Sequence, residues 1–158
     1  SDFEDDALAS RFGLGWKAST DEIAGGSSTA VVARARPGWR SLGSLSVKGE
    51  VARGPVALSG VLFNPGERPF SPVDLSASKE LVFSSRGDGQ TFSVLLFTRQ
   101  RGERPSRRSF VAGKTWRRHR IPISAFDGSD GRDVVGVAFV AGPRPGKYSF
   151  QLDDVELR

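Results

Sequence analysis

The chain contains no cysteine, which excludes disulfides, thiolate nucleophiles and cysteine-ligated zinc. It has one histidine, His119, and one asparagine, Asn64. Asn64 precedes a proline, so the sequence offers no N-glycosylation acceptor. His119 lies between Arg118 and Arg120, and no Gly-x-Ser-x-Gly elbow accompanies it. It therefore reads as a solvated strand residue rather than part of a triad. No run approaches the ~18 apolar residues of a membrane span, and no signal peptide is visible. Nor does any window hold apolar residues at helical spacing for three turns.

What remains is a pattern of short apolar runs set among 19 glycines and 9 prolines, within 158 residues that the usual size prior reads as one domain. The pattern is organised around Lys79 to Thr98. Leu81-Val82-Phe83 and Phe92 to Phe97 flank Arg86-Gly87-Asp88-Gly89, and Asp-Gly between β-rich runs predicts a hairpin. On the second arm Phe92, Val94 and Leu96 share one face, with Leu95 and Phe97 on the other. A strand apolar on both faces is expected in the middle of a sheet.

Other segments fit the same picture. Leu45, Val47, Gly49 and Val51 alternate with Ser44, Ser46, Lys48 and Glu50 at period two. Thr29 to Arg36, Ala57 to Phe63, Val134 to Ala141 and Lys147 to Leu157 also read as strands, whereas Gln100 to Arg108 reads as a polar excursion. Nine or ten short strands with regular turns predict an all-β fold, an antiparallel β-sandwich or jelly roll. In the last strand Tyr148, Phe150 and Leu152 set one inward phase and Val155 and Leu157 the opposite one. The phase must switch at Asp153-Asp154, most simply through a β-bulge that aims one carboxylate inward. A buried carboxylate needs a cation or several hydrogen-bond donors.

Acidic residues are scarce in one stretch. Arg99, Arg101, Arg104, Arg107, Arg108, Lys114, Arg117, Arg118 and Arg120 face only Glu103, so residues 99–120 carry +8 of a chain total of +5 and leave −3 elsewhere. Such a patch suits nucleic acid or another acidic surface, although few aromatics are interleaved for base stacking. A solvated edge that keeps the sheet from pairing is the competing reading.

The ordered set Asp2-Phe3-Glu4-Asp5, Trp16, Asp21 to Ser28, Lys48-Gly49-Glu50-Val51, Asp74-Leu75-Ser76, Leu81 to Gly89, Trp116 to Pro122, Phe126 and Leu152-Asp153-Asp154-Val155 resembles the thirty-kilodalton complex I intermediate-associated protein family. That resemblance implies a galactose-binding-like jelly roll related to family 11 carbohydrate-binding modules. Domains of the family occur alone, as assembly factors, and beside bacterial enzymes. It also implies one structural calcium ion, with Glu4, Ser28 in the Gly25 to Ser28 loop, and Asp153 (or Asp154) as ligands. Hard oxygens from chain ends meeting beside a loop are chemically suited to calcium. The competing reading is that these acids cap turns or pair with arginines. The Arg-rich segment departs from the family pattern.

Other motifs read blandly. Arg86-Gly87-Asp88 is explained by turn chemistry. Gly113-Lys114-Thr115 lacks the glycine a phosphate loop needs. Neighbours at Asp5-Asp6 and Asp153-Asp154 point to opposite faces of a strand, so neither makes an acid–base couple. Trp39, in a Pro-Gly turn, is expected to be the exposed tryptophan. The sequence thus predicts a non-enzymatic module that binds a protein or glycan through a sheet face or rim loops, with Trp39, Leu95 and Phe97 as contacts. Nucleic-acid binding by the basic patch is the alternative. A chain beginning at Ser1 reads as a mature form or an excised domain, and a bacterial periplasmic, secreted or cytoplasmic setting is compatible.

Overall fold

The computed structural model describes residues 1–4, 8, 10 and 12–158; the Asp5-Asp6 pair lies outside the described residues. Ten strands form: β1 Trp16–Thr20, β2 Thr29–Ala35, β3 Ser44–Val51, β4 Ser59–Phe63, β5 Glu80–Gly87, β6 Thr91–Thr98, β7 Ser106–Val111, β8 Arg117–Pro122, β9 Val134–Ala141 and β10 Gly146–Leu157. Short 3₁₀ turns cover Asp21–Ala24 and Ile123–Ala125. The strands make two antiparallel five-stranded sheets, β1-β4-β9-β6-β7 and β2-β3-β10-β5-β8. The expected jelly-roll sandwich is what the chain adopts.

Period-two alternation explains the packing. Leu45, Val47 and Val51 of β3, Phe83 of β5, Phe92, Val94 and Leu96 of β6, Phe139 of β9 and Phe150 and Leu152 of β10 fill the space between the sheets. Phe83, Phe110 and Phe139 meet edge-on at 4.9–6.0 Å, a favoured aromatic geometry.

The predicted central hairpin does not exist as a pairing. β5 pairs with β10 and β8, whereas β6 pairs with β9 and β7. The Asp88-Gly89 turn instead hands the chain from one sheet to the other. Turn chemistry fits either geometry, because positive φ at Gly89 (92°) and an Asp that captures N–H groups serve any tight reversal. Asp88 accepts from the Gln90 and Ser149 N–H groups, and Gly87 N–H donates to Gly113 O. Both arms are apolar on two faces because each occupies an interior position of its own sheet. The polar excursion is also shorter than expected, since β7 begins at Ser106.

The phase switch in β10 is present as predicted. The register with β5 shifts between Asp153 and Glu156, and Asp154 takes the left-handed conformation at φ 48°. Asp153 is fully buried, yet on the outer side of its sheet, beneath the loop that joins β2 to β3. The start of the chain lies alongside this bulge: Ser1 and Val155 exchange two backbone hydrogen bonds, at 2.6 and 2.9 Å.

His119 corrects another expectation. Its ring stacks on Phe83 (centroids 4.8 Å apart) and Nε2 lies 2.9 Å from Ser85 Oγ. It is half-buried at the margin of the core, because its β5 partner Phe83 faces inward. Burial, with help from Arg117, holds its pKa below the ordinary imidazole value.

Candidate functional site

The outer face of the sheet β2-β3-β10-β5-β8 carries the most structured polar surface. Inward Phe150 and Leu152 force Gln151 outward, and register then places Arg86, Gln151, Ser46 and Ala33 in one row across β5, β10, β3 and β2. Arg86 Nε donates to Gln151 Oε1 at 2.7 Å, and its guanidinium lies 5.0 Å from the centroid of the Trp116 ring. Trp116 is half-buried and its Nε1 is shielded from solvent without a hydrogen-bond partner among the described residues. Val31, Lys48 and Ser149 form the next row.

On the other side of this row the Pro37 to Gly43 loop closes over the sheet. Asp153 Oδ2 accepts from the Trp39 N–H and the Ser41 hydroxyl, both at 2.6 Å, and Oδ1 accepts from the Asp154 N–H at 2.7 Å. Glu4 holds the far end of the same loop, accepting from the Leu42 and Gly43 N–H groups. Two glycines permit this closeness: a Cβ on Gly38 would sit 2.5 Å from Asp153 Oδ2, and one on Gly43 would strike Phe3 O. Burial pushes the Asp153 carboxyl above its ordinary pKa, partly offset by its three donors.

The predicted site residues divide among several places. Trp39 is half-buried beside Arg40 in the loop over the second sheet. Leu95 and Phe97 lie on the outer side of the other sheet, where Leu95 packs with Leu62, Ala138 and Val140 and is only 1% exposed. The trio therefore forms no common surface, and Leu95 is a packing residue. Alternation correctly separated its face from that of Phe92, but could not tell an exposed apolar face from a covered one.

The predicted calcium ligands do not converge either. Glu4 and Asp153 bracket one loop at the C-terminal end of β2, whereas Ser28 precedes its first residue, about 23 Å of extended strand away. Ser28 binds Asp21 instead, through its N–H at 3.0 Å and its hydroxyl at 2.6 Å. Burial raises the Asp21 pKa, but those bonds and the Leu58 N–H outweigh it and hold the carboxyl below its ordinary value. Each carboxylate oxygen of Asp153 points at a donor, the arrangement that satisfies a buried anion without a metal. This set does not fit a calcium ion, and among the described residues no three acids, histidines or cysteines cluster to hold one.

The basic residues follow two edge strands. Arg107 and Arg108 lie on β7 and Arg117, Arg118 and Arg120 on β8, with Arg99, Arg101 and Arg104 in or beside the turn before β7. Four are answered by acids: Arg101 and Arg108 by Asp127, Arg118 by Asp154 and Glu156, Arg120 by Glu80. Sequence reasoning missed Arg86 and Gln151 as partners, although each is a polar residue in the outward phase of its strand. Their meeting depends on the β5-β10 register, which no local pattern specifies.

Comparison with known proteins identifies the family and the fold. The family model described as complex I intermediate-associated protein 30 (CIA30) matches residues 2–136. The chain belongs to the CIA30 family. No curated protein matches it in sequence. Among solved structures, the family 11 carbohydrate-binding module of a Clostridium thermocellum cellulosomal cellulase is similar at TM-score 0.64 and 16% identity, covering 98% of this chain and 92% of that one. An exo-β-agarase is similar at TM-score 0.68 and 12% identity, over 99% of this chain and 24% of its own. The K1 cleaved adhesin domain of Lys-gingipain from Porphyromonas gingivalis follows at TM-score 0.55 and 17% identity, over 100% and 95%. At these identities the likeness establishes the galactose-binding-like jelly-roll fold. Family and fold together support a binding module.

Proposed function

We propose that this CIA30 domain is a non-catalytic module that binds a glycan along the outer face of the β2-β3-β10-β5-β8 sheet. The observation that carries the reading is the row in which Trp116, Arg86 and Gln151 fix one another. Sugar recognition calls for an aromatic surface beside planar polar groups held in place, and that row supplies both. The solved family 11 module that holds a β-1,3-1,4-mixed-linked tetrasaccharide shares the fold at TM-score 0.62 and 16% identity, which makes a glycan the natural first ligand class to test.

Affinity electrophoresis in gels cast with a panel of polysaccharides tests it. At least one polymer should retard the protein, and Trp116→Ala should abolish the retardation while the far-ultraviolet circular dichroism stays unchanged. Absence of retardation by every polymer would reject the reading. Nucleic-acid binding is the second reading, favoured by Arg99, Arg104, Arg107 and Arg117, for which no acidic partner is found among the described residues. It requires strongly salt-dependent binding of single-stranded RNA.

A further inference from the structure

The charges on the same face indicate which glycan. Arg86 spends Nε on Gln151, while its two terminal nitrogens make no hydrogen bond or ion pair within the described residues. Gln151 and the Trp116 ring hold the guanidinium from two sides, so its open fork is fixed in direction. Such a fork matches the two oxygens of a carboxylate or sulfate group. Lys48 stands exposed in the adjoining row, separated from Arg86 by β10, roughly 12 Å away by strand spacing. A short run of sugar units bridges that span.

The acids near this surface, Glu50 excepted, are engaged by other groups. Asp153 is sealed beneath the Trp39 loop. Asp154 and Glu156 lie 3.7 and 3.9 Å from Arg118, and Glu80 lies 3.4 Å from Arg120. Asp88 at the rim accepts from Gln90 and Ser149. Glu50 follows Lys48 by two residues on the same face of β3 and stands opposite Lys147 across the ladder. Within the described residues Arg86 makes no ion pair with an acid, whereas Lys48 has Glu50 as its same-face neighbour two residues along β3.

We infer that the ligand is an acidic polysaccharide, bearing uronate carboxylates or sulfate esters, with one acidic group seated in the Arg86 fork and another near Lys48. The inference rests on the glycan reading of this face. It is tested by affinity electrophoresis with polygalacturonate, dextran sulfate, neutral mixed-linked β-glucan and single-stranded RNA, at low and high salt. Polygalacturonate or dextran sulfate should retard the protein, and salt should weaken the interaction. The relative response to these two polymers separates a carboxylate from a sulfate preference. Arg86→Gln should cost about tenfold or more in affinity, as expected for a charge-assisted hydrogen bond. Lys48→Gln, at an exposed position that leaves the Trp116 stack intact, should also weaken binding of the acidic polymers.

Retardation by neutral glucan equal to that by the acidic polymers, insensitive to salt and to both substitutions, would overturn the acidic assignment and leave the glycan reading standing. Retardation by no polysaccharide would end both. Equal retardation by RNA, abolished by Arg104→Gln with Arg107→Gln rather than by Arg86→Gln, would transfer the function to the basic edge.

Discussion

At the scale of single residues, buried polar groups decide what the fold tolerates. Asp153 is fully buried and held by three donors, so truncation leaves the Trp39 N–H without a partner. Asp153→Ala should lower the unfolding free energy by about 1–3 kcal/mol in urea titrations. Glu4 and Asp153 satisfy N–H groups, not a cation, so melts in chelator and in added calcium should coincide; a rise with calcium would show a metal bound elsewhere. His119 contributes a pH dependence whose sign follows from its lowered pKa. The unfolded chain takes up a proton near pH 6.5 that the folded chain refuses until lower pH, so stability falls as pH drops through that window. Thermal melts between pH 7 and 5 should show this fall, and His119→Phe, which keeps the stack on Phe83, should flatten it. A buried carboxylate at the bulge and acids that cap turns were legible in the sequence, but the role of His119 was not: it looked solvated because its neighbours are arginines, and only its partner Phe83 reveals which way it faces.

At the scale of elements, periodicity was the readable signal and pairing was not. The strand β3, the buried run β9 and the phase switch in β10 all follow from which positions are apolar. The bulge even declared its site, since Leu152 and Val155 cannot share a face without one. The pairing of β5 and β6 was misread because a tight turn reports only that the chain reverses. The bulge carries its own prediction. Asp154 holds φ at 48°, a conformation that β-branched residues resist. Asp154→Val should destabilise by about 1–2 kcal/mol, whereas Asp154→Gly should be tolerated, with chemical denaturation of both variants deciding the matter. Equal losses would mean that the Arg118 pairing, and not backbone geometry, governs that position.

At the scale of the whole molecule, the two sheets share one interior, and their aromatic contacts cross from layer to layer. Tryptophan fluorescence and far-ultraviolet circular dichroism should therefore trace a single coincident transition in urea; separate midpoints would show the layers melting independently. Fold class was legible because it depends on alternation and turn spacing. The candidate face was not, because Arg86 and Gln151 come from β5 and β10 and Trp116 from the residue before β8, and their adjacency is a property of the assembled sheet. The proximity of Ser1 to Val155, with Arg158 bonded to Glu80 close by, has a use beyond stability. A short peptide can splice the first residue to the last, and new ends can be opened in the exposed turn around Gly102. Such a circularly permuted chain should fold to the same sandwich, so a biosensor or display scaffold can be threaded through the β6-β7 turn while the outer face of the β2-β3-β10-β5-β8 sheet stays clear.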